Sequence, residues 1–143
     1  MPLLTEVLTI FARLLTDPWP LTLNILGVII GIILGALPGI SSTMSLAVLM
    51  PLTFGMSPLN ALMFLMGVFN ASVYGGSIAA ILINIPGTPG SIVTQMDGHP
   101  MAKQGRAGEA ITYAILASAF GGIFGWILLM FFAPLIARVA LQF

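Results

Sequence analysis

The chain has few charged side chains and no cysteine. Of its 143 residues, 6% are Asp, Glu, Lys or Arg and 59% are hydrophobic, whereas soluble domains carry roughly 25% charged residues. With a mean hydropathy of +1.13, this composition excludes a soluble protein and indicates a membrane protein. The lack of cysteine excludes disulfides, thiolate catalysis and Cys-ligated metals. A net charge of zero provides no basic patch, so no nucleic-acid partner is expected.

The positions of the charges divide the chain into potential membrane spans. No charged side chain occurs from residue 18 to 96, or from 110 to 137. A helix needs about 20 residues to cross a hydrocarbon core of about 30 Å. The second uncharged stretch therefore accommodates one span and the first accommodates three or four. We predict an all-α, polytopic helical membrane protein in contact with the lipid bilayer.

Residues 1 to 17 are set apart from the rest. Their apolar side chains recur at helical spacing opposite Thr, Glu6 and Arg13, which predicts an amphipathic helix lying in the membrane interface. Glu6 and the late Arg13 fit a cleaved signal peptide poorly. Asp17 and Pro18 end this helix, and residues 18 to 143 form the transmembrane domain.

Small residues at regular spacing predict close helix packing. In the first span, glycine recurs every four residues. The final span, expected from Ala110 to Ala133 with Pro134 at its end, carries two files of small residues. The first-span glycines are Gly27, Gly31 and Gly35; the two files are Ala110, Ala114, Ser118, Gly122 and Ala117, Gly121, Gly125.

Two similar Pro-Gly breaks interrupt the apolar sequence. Residues 37–42 read Leu-Pro-Gly-Ile-Ser-Ser and residues 85–91 read Ile-Pro-Gly-Thr-Pro-Gly-Ser. Each break supplies hydroxyl groups where a new helix could begin, and interrupted apolar segments point to transporter binding sites. Helix N-termini attract anions, so a carboxylate could be held here without arginine. The alternative is that both breaks are plain loops between spans.

The third apolar stretch contains polar residues and the glycine pair Gly75 and Gly76. Because mid-helix glycine is destabilising, we predict that residues 70 to 91 form a broken, buried segment that lines a site. Ser57 and Pro58 are expected to start the helix before it.

Three motifs carry a resemblance to a known family. They are Gly35 to Ile40, then Tyr74 to Ser77 leading to Ile85 to Gly90, then Asp97 to Gly105. Together they resemble the large membrane subunit of the tripartite tricarboxylate transporters, the TctA family, over roughly residues 18 to 125.

The resemblance implies a multi-pass subunit of an ion-gradient-coupled carrier of citrate-like or other organic carboxylates in the bacterial inner membrane, and not an enzyme. It also implies two partners, a small membrane subunit and a periplasmic solute-binding protein, and broken or re-entrant helices as in one half of a two-repeat secondary transporter. Family members are much longer than this chain. It matches only the N-terminal part, so it is expected to be a fragment, a truncated gene product or half of a split carrier whose C-terminal half is a separate partner.

We assign candidate residues from the breaks and the polar interruptions. Neutral oxygen donors suit a coupling ion such as Na⁺, with H⁺ as the alternative, and no other cofactor is expected. The structural alternative for the same side chains is hydrogen bonding between helices. Asp97 and His99 are assigned to a solvated polar loop. The substrate candidates are Pro38, Gly39, Ser41, Ser42, Thr43, Gly75, Gly76, Ser77, Pro86, Gly87 and Thr88, and the coupling-ion candidates are Asn70, Ser72 and Asn84.

Two other functions compete with transport. A structural or assembly subunit, or a truncated fragment without transport of its own, is compatible with the small-residue faces. A membrane enzyme would depend on a Ser–His pair such as Ser77 with His99, and Gly-Gly-Ser alone is too common to indicate a nucleophile.

Overall fold

The computed structural model describes residues 16–140 and the isolated positions 5, 9 and 12, without the side chains of 134, 135 and 137–140. The interfacial helix was predicted over residues 1 to 17. Most of these residues lie outside the described part of the chain, which includes only positions 5, 9, 12, 16 and 17 of this range. Within residues 16–140 the fold is all-α, as predicted. Its helices are α1 Pro18–Ala36, α2 Ser42–Leu49, α3 Pro58–Ile83, α4 Ser91–Lys103 and α5 Ala107–Ala140, with a 3-10 turn at Met50–Thr53.

Within residues 16–140, three helices are long and apolar enough to cross a membrane. They are α1, α3 and residues Ala107–Ala133 of α5. Asp17 caps α1, because its carboxylate accepts a hydrogen bond from the amide of Trp19 at 3.1 Å. Ser57 is the N-cap of α3 and Pro58 its first residue, as predicted.

The glycines of α1 pack against the backbone of α3, which confirms their predicted role. A Cβ on any of them would clash with an α3 carbonyl oxygen, so only glycine permits this approach. Glycines of α3 pack against the backbone of α1 in the same way. A Cβ on Gly75 would lie 2.6 Å from the carbonyl oxygen of Ile32. The α1 contacts advance along both helices together, Gly27 with Phe64, Gly31 with Val68 and Gly35 with Ser72, so α1 and α3 are parallel.

Parallel helices require the connecting segment to return the chain to the starting level. Fourteen residues separate Ser72, beside the end of α1, from Pro58 at the start of α3, which is about 21 Å of helix. α2 and the 3-10 turn make this return and pack on the side of α3. Their apolar side chains complete a small core, in which Leu49 joins Leu23, Phe64 and Val68.

α3 runs without a break through Gly75 and Gly76, so the predicted interruption at this pair is wrong. The reason is tertiary. Gly75 allows α1 to approach, and Gly76 allows the later loop to approach, while the helix keeps its backbone hydrogen bonds, as an apolar environment demands. α3 ends at Asn84, which has a left-handed backbone with φ of 60°.

Asp97 and His99 lie in α4 and not in a solvated loop, which corrects a second prediction. The loop is shorter than predicted. It is the turn after Lys103, where the amide of Arg106 donates to the carbonyl of Met101 at 3.0 Å and Gly105 has φ of 80°. Arg106 pairs with Glu109 at 2.6 Å, and this hydrogen bond raises the pKa of the Arg106 guanidinium.

α5 is the least covered helix. It continues through Pro134 to Ala140, so the prediction that Pro134 ends it is wrong. Among its described side chains only Ala110 is buried. A Cβ on Gly121, Gly122 or Gly125 would meet no atom within 4 Å, so within the described part of the chain the glycines of the two small-residue files do not make the predicted close contacts.

Candidate functional site

The two Pro-Gly breaks meet at the glycine pair of α3. A Cβ on Gly87 would lie 3.2 Å from Cα of Gly76, 3.4 Å from the carbonyl oxygen of Gly35 and 3.6 Å from that of Ile40. The loop after α3 therefore folds back onto the end of α1, the first break and the middle of α3. We call this meeting point the glycine junction, consisting of Gly35, Ile40, Gly76 and Gly87.

Two helices begin beside the glycine junction. α2 starts at Ser42, directly after the first break, and the hydroxyl of Ser41 caps it by accepting a hydrogen bond from the amide of Met44 at 3.2 Å. α4 starts at Ser91, whose Oγ is 3.3 Å from where a Cβ on Gly76 would lie. The first amides of a helix have no intrahelical partner and form its positive end. The junction thus brings together the starts of two helices.

A buried pair of hydroxyl groups lies at the start of α4. Thr88 Oγ1 and Ser91 Oγ are 2.8 Å apart, and the residues are 9% and 2% exposed. Because one hydroxyl donates to the other, the second keeps a proton that it can donate to a further acceptor. Ser91 was missed as a site residue in the sequence. Two hydroxyl residues three apart at a helix start are the signal that could have identified it.

The other predicted substrate residues differ in their distance from this point. Gly39 has φ of 86° and open space around it. Ser77 Oγ donates to the carbonyl of Val73 at 3.4 Å. Of the full set, the junction brings together Gly76, Gly87 and Thr88; Ser42 is buried, Ser41, Ser77 and Pro86 are half-buried, Pro38, Gly39 and Thr43 are exposed, and Gly75 faces α1.

The three candidate ion ligands do not form one cluster. Asn70 and Asn84 are fourteen residues apart on α3 and its C-cap, which is about 21 Å. Ser72 is fully buried and its Oγ donates to the carbonyl of Phe69 at 2.9 Å. Each residue remains a predicted ligand on its own, but a single ion cannot bind all three in this arrangement.

Two side chains of α4 bind the end of α3. Gln95 Nε2 donates to the carbonyl oxygen of Asn84 at 3.0 Å and to its Oδ1 at 2.8 Å. His99 Nδ1 lies 3.0 Å from the carbonyl oxygen of Ile81. Between them, a Cβ on Gly98 would lie 2.7 Å from Cγ1 of Ile81. Gln95 was also not predicted as a site residue, because an isolated glutamine forms no distinctive sequence pattern.

Two grooves lie along α5. The groove between α3 and α5 has a volume of about 820 Å³ and the groove between α4 and α5 about 320 Å³. Both are mainly apolar with a few polar groups, which are Asn70, Tyr74 and Ser118 in the first and Thr94, Asp97 and Tyr113 in the second.

The sequence of this helical domain matches a known family of membrane proteins. Residues 21–143 match the family model described as "Tripartite tricarboxylate transporter TctA family". The chain belongs to the TctA family. The resemblance predicted from the three motifs is confirmed, and the family is one of transporters and not of enzymes. With its three candidate spans, this TctA protein is a membrane protein.

Comparison with a curated relative shows how much of a longer protein this chain matches. It is described as an uncharacterized 52.8 kDa protein in the TAR-I ttuC' 3' region of Agrobacterium vitis, and is 48% identical over 117 residues. The match covers 82% of this chain but only 23% of the relative. This TctA chain therefore spans about a quarter of the length of the relative it matches. No solved structure matches it.

Proposed function

We propose that this chain is part of the large membrane subunit of a carrier that takes up tricarboxylates or related organic carboxylates across the bacterial inner membrane. An ion gradient drives uptake. A small membrane subunit and a periplasmic solute-binding protein complete the carrier. Membership of the TctA family and three candidate membrane spans support this function. Because the matched relative is far longer, the rest of the large subunit comes from polypeptide outside this chain.

The glycine junction is the proposed carboxylate site. The observation that carries this proposal is the contact between the second break and α3, with Gly87 directly against Gly76 and both helix starts beside it. A carboxylate at this place would accept a hydrogen bond from the Thr88–Ser91 hydroxyl pair and would lie at the positive ends of α2 and α4.

The charge distribution agrees with this kind of recognition. Residues 18 to 96 contain no Arg or Lys, so a carboxylate held near the junction is neutralised by helix ends and not by an ion pair. Each helix end contributes about half a positive charge. Such a site binds an anion and still releases it, since it forms no desolvated ion pair.

The groove between α3 and α5 is the proposed contact for the rest of the large subunit. It exposes Asn70, Tyr74 and Ser118 beside Gly121 and Gly122. Polar side chains on candidate membrane helices need protein or water around them, and the open glycines admit another helix closely. A second helix therefore fits this groove better than lipid does.

Ligand-dependent protection of the purified chain tests the carboxylate site. We expect citrate, but not glycerol, to raise the thermal unfolding midpoint of the chain in lipid nanodiscs. Gly87→Leu should abolish this effect, because Gly87 has no room for a side chain against Gly76. Gly90→Leu is the matched control in the same loop, since a Cβ there would meet no atom within 4 Å.

The outcomes of this experiment separate the two functions. Equal citrate protection in wild type and Gly87→Leu would place the carboxylate elsewhere. Absence of protection by any carboxylate in the wild type would instead favour an assembly subunit, a role that the uncovered face of α5 supports.

Uptake measurements test the coupling ion. In vesicles that contain the whole carrier, a sodium gradient should drive citrate uptake, and Asn70→Ala or Asn84→Ala should raise the sodium concentration that half-saturates uptake. Uptake that follows a proton gradient and ignores sodium would remove the proposed sodium ligands and favour H⁺.

A further inference from the structure

The C-terminal end of α3 receives its hydrogen bonds from α4. The last carbonyl groups of a helix have no partners within it. Beyond α3 the chain turns away through the left-handed Asn84, and Pro86 has no N–H to offer. Gln95 and His99 supply the missing donors, to Asn84 and Ile81 respectively.

The geometry makes these two side chains a unit. Four residues separate Gln95 from His99, so they project from the same face of α4. Gly98 brings the two helices into direct contact at Ile81, which is fully buried. A carbonyl oxygen only accepts hydrogen bonds, so Nδ1 of His99 must carry the proton in this contact. The bond therefore fixes the tautomer of the imidazole.

The loop between these helices carries one of the four residues of the glycine junction, Gly87. Residues 84–90 leave α3 at Asn84 and enter α4 at Ser91. Gln95 fixes the first end of this loop and His99 fixes the helix that follows it. Gly87, in the middle of the loop, lies so close to Gly76 that a Cβ on it would be 3.2 Å from Cα of Gly76.

We propose that Gln95 and His99 form a clamp that positions the second break and thereby sets the carboxylate affinity of the glycine junction. Both act as positioning residues, through the loop and without contact with the carboxylate. This inference rests on the proposed function of the junction. Its structural part, that the clamp holds residues 84–90 in place, is measured without any ligand.

Variants of His99 with matched shape test the clamp. His99→Leu removes the donor, whereas His99→Asn keeps an N–H close to the position of Nδ1. Gln95→Met removes the second donor at similar length and helix propensity. Hydrogen–deuterium exchange of the full chain in lipid nanodiscs measures how firmly the loop is held. The amides to follow are those of Ser91 and Ile92, which donate to the carbonyl groups of Thr88 and Pro89.

We expect His99→Leu and Gln95→Met to speed exchange at these amides about fivefold to tenfold, the effect of one lost hydrogen bond. His99→Asn should stay within about twofold of wild type. Exchange in the middle of α1 is the internal control and should not change. The dissociation constant for citrate should rise by a similar factor in the two donor-free variants and recover in His99→Asn.

Each outcome decides one part of the proposal. Unchanged loop exchange in both donor-free variants would overturn the clamp. Faster loop exchange with unchanged citrate affinity would overturn its role in binding. A rise in exchange throughout the chain, unrepaired by His99→Asn, would show that these residues only support the fold. If the wild type does not bind citrate, the proposed function fails for citrate, and the exchange result alone still supports or overturns the clamp.

Discussion

Replacing Gly31 by Ala should separate α1 from α3. A Cβ at this position would lie 2.8 Å from the Cβ of Ala71 and 2.9 Å from Cα of Val68. Ordinary contacts between such atoms begin near 3.5 Å, so the two helices must move apart by roughly 0.7 Å at this level. Gly27, Gly31 and Gly35 form a glycine ridge on α1. All the contacts of this ridge with α3 weaken together, because the helices are rigid over this length.

The magnitude follows from two opposing effects. Overpacking costs about 1 to 3 kcal/mol, while Ala favours the helix over Gly by up to about 1 kcal/mol. We therefore expect Gly31→Ala to lower the free energy of unfolding by about 1 to 2 kcal/mol. Gly121→Ala is the matched control, since its Cβ meets no atom within 4 Å. It should be neutral or stabilising.

Unfolding of the purified chain by sodium dodecyl sulfate in mixed micelles, followed by circular dichroism, measures both variants. The midpoint detergent fraction should fall for Gly31→Ala and stay or rise for Gly121→Ala. The reasoning is refuted if the two variants unfold at the same midpoint, because the glycine ridge would then have no greater need of glycine than the open face of α5.

Two further substitutions test other parts of the fold by the same unfolding measurement. Gly39→Ala should cost about 1 kcal/mol, because Gly39 has φ of 86° and side chains disfavour this region; Gly55→Ala, also in open space, is its control, and equal midpoints would contradict the strain argument. Asn24→Leu should cost only about 0.6 kcal/mol, because its amide donates to the carbonyl of Met63 at 2.8 Å and this carbonyl already lies within α3. If Asn24→Leu lowered the free energy of unfolding more than Gly31→Ala does, polar contacts would stabilise this helix pair more than close packing does.

Much of the architecture could be predicted from local patterns. The absence of charge from residues 18 to 96 indicated the membrane domain, and Pro-Gly pairs marked both breaks. Glycine every four residues identified the α1 face that packs. These features succeed because apolar length, missing N–H groups and missing side chains act on the chain directly, whatever it packs against.

Other predictions failed at glycine, which can either break a helix or allow another segment to pack closely against it. Gly75 and Gly76 looked like a break, yet they are helical and serve close approach from two sides. Asp97 and His99 were predicted to lie in a loop beside Gly98 and Pro100, yet they are helical and Gly98 lets α4 pack on Ile81. Glycine has the same appearance in a sequence whether it breaks a helix or lets a neighbouring helix approach. Only the position of the neighbouring helix distinguishes the two.

The sequence by itself determined that this is an all-α membrane chain of the TctA family and placed its two breaks, because composition and short motifs are local properties. Only the tertiary structure decided that α1 and α3 are parallel and that Gly87 lies against Gly76. It also decided that Ser91 pairs with Thr88 and that Gln95 and His99 bind the end of α3. Most of these depend on contacts between residues far apart in the chain, and such contacts arise from shape and hydrogen-bond complementarity that no local pattern encodes.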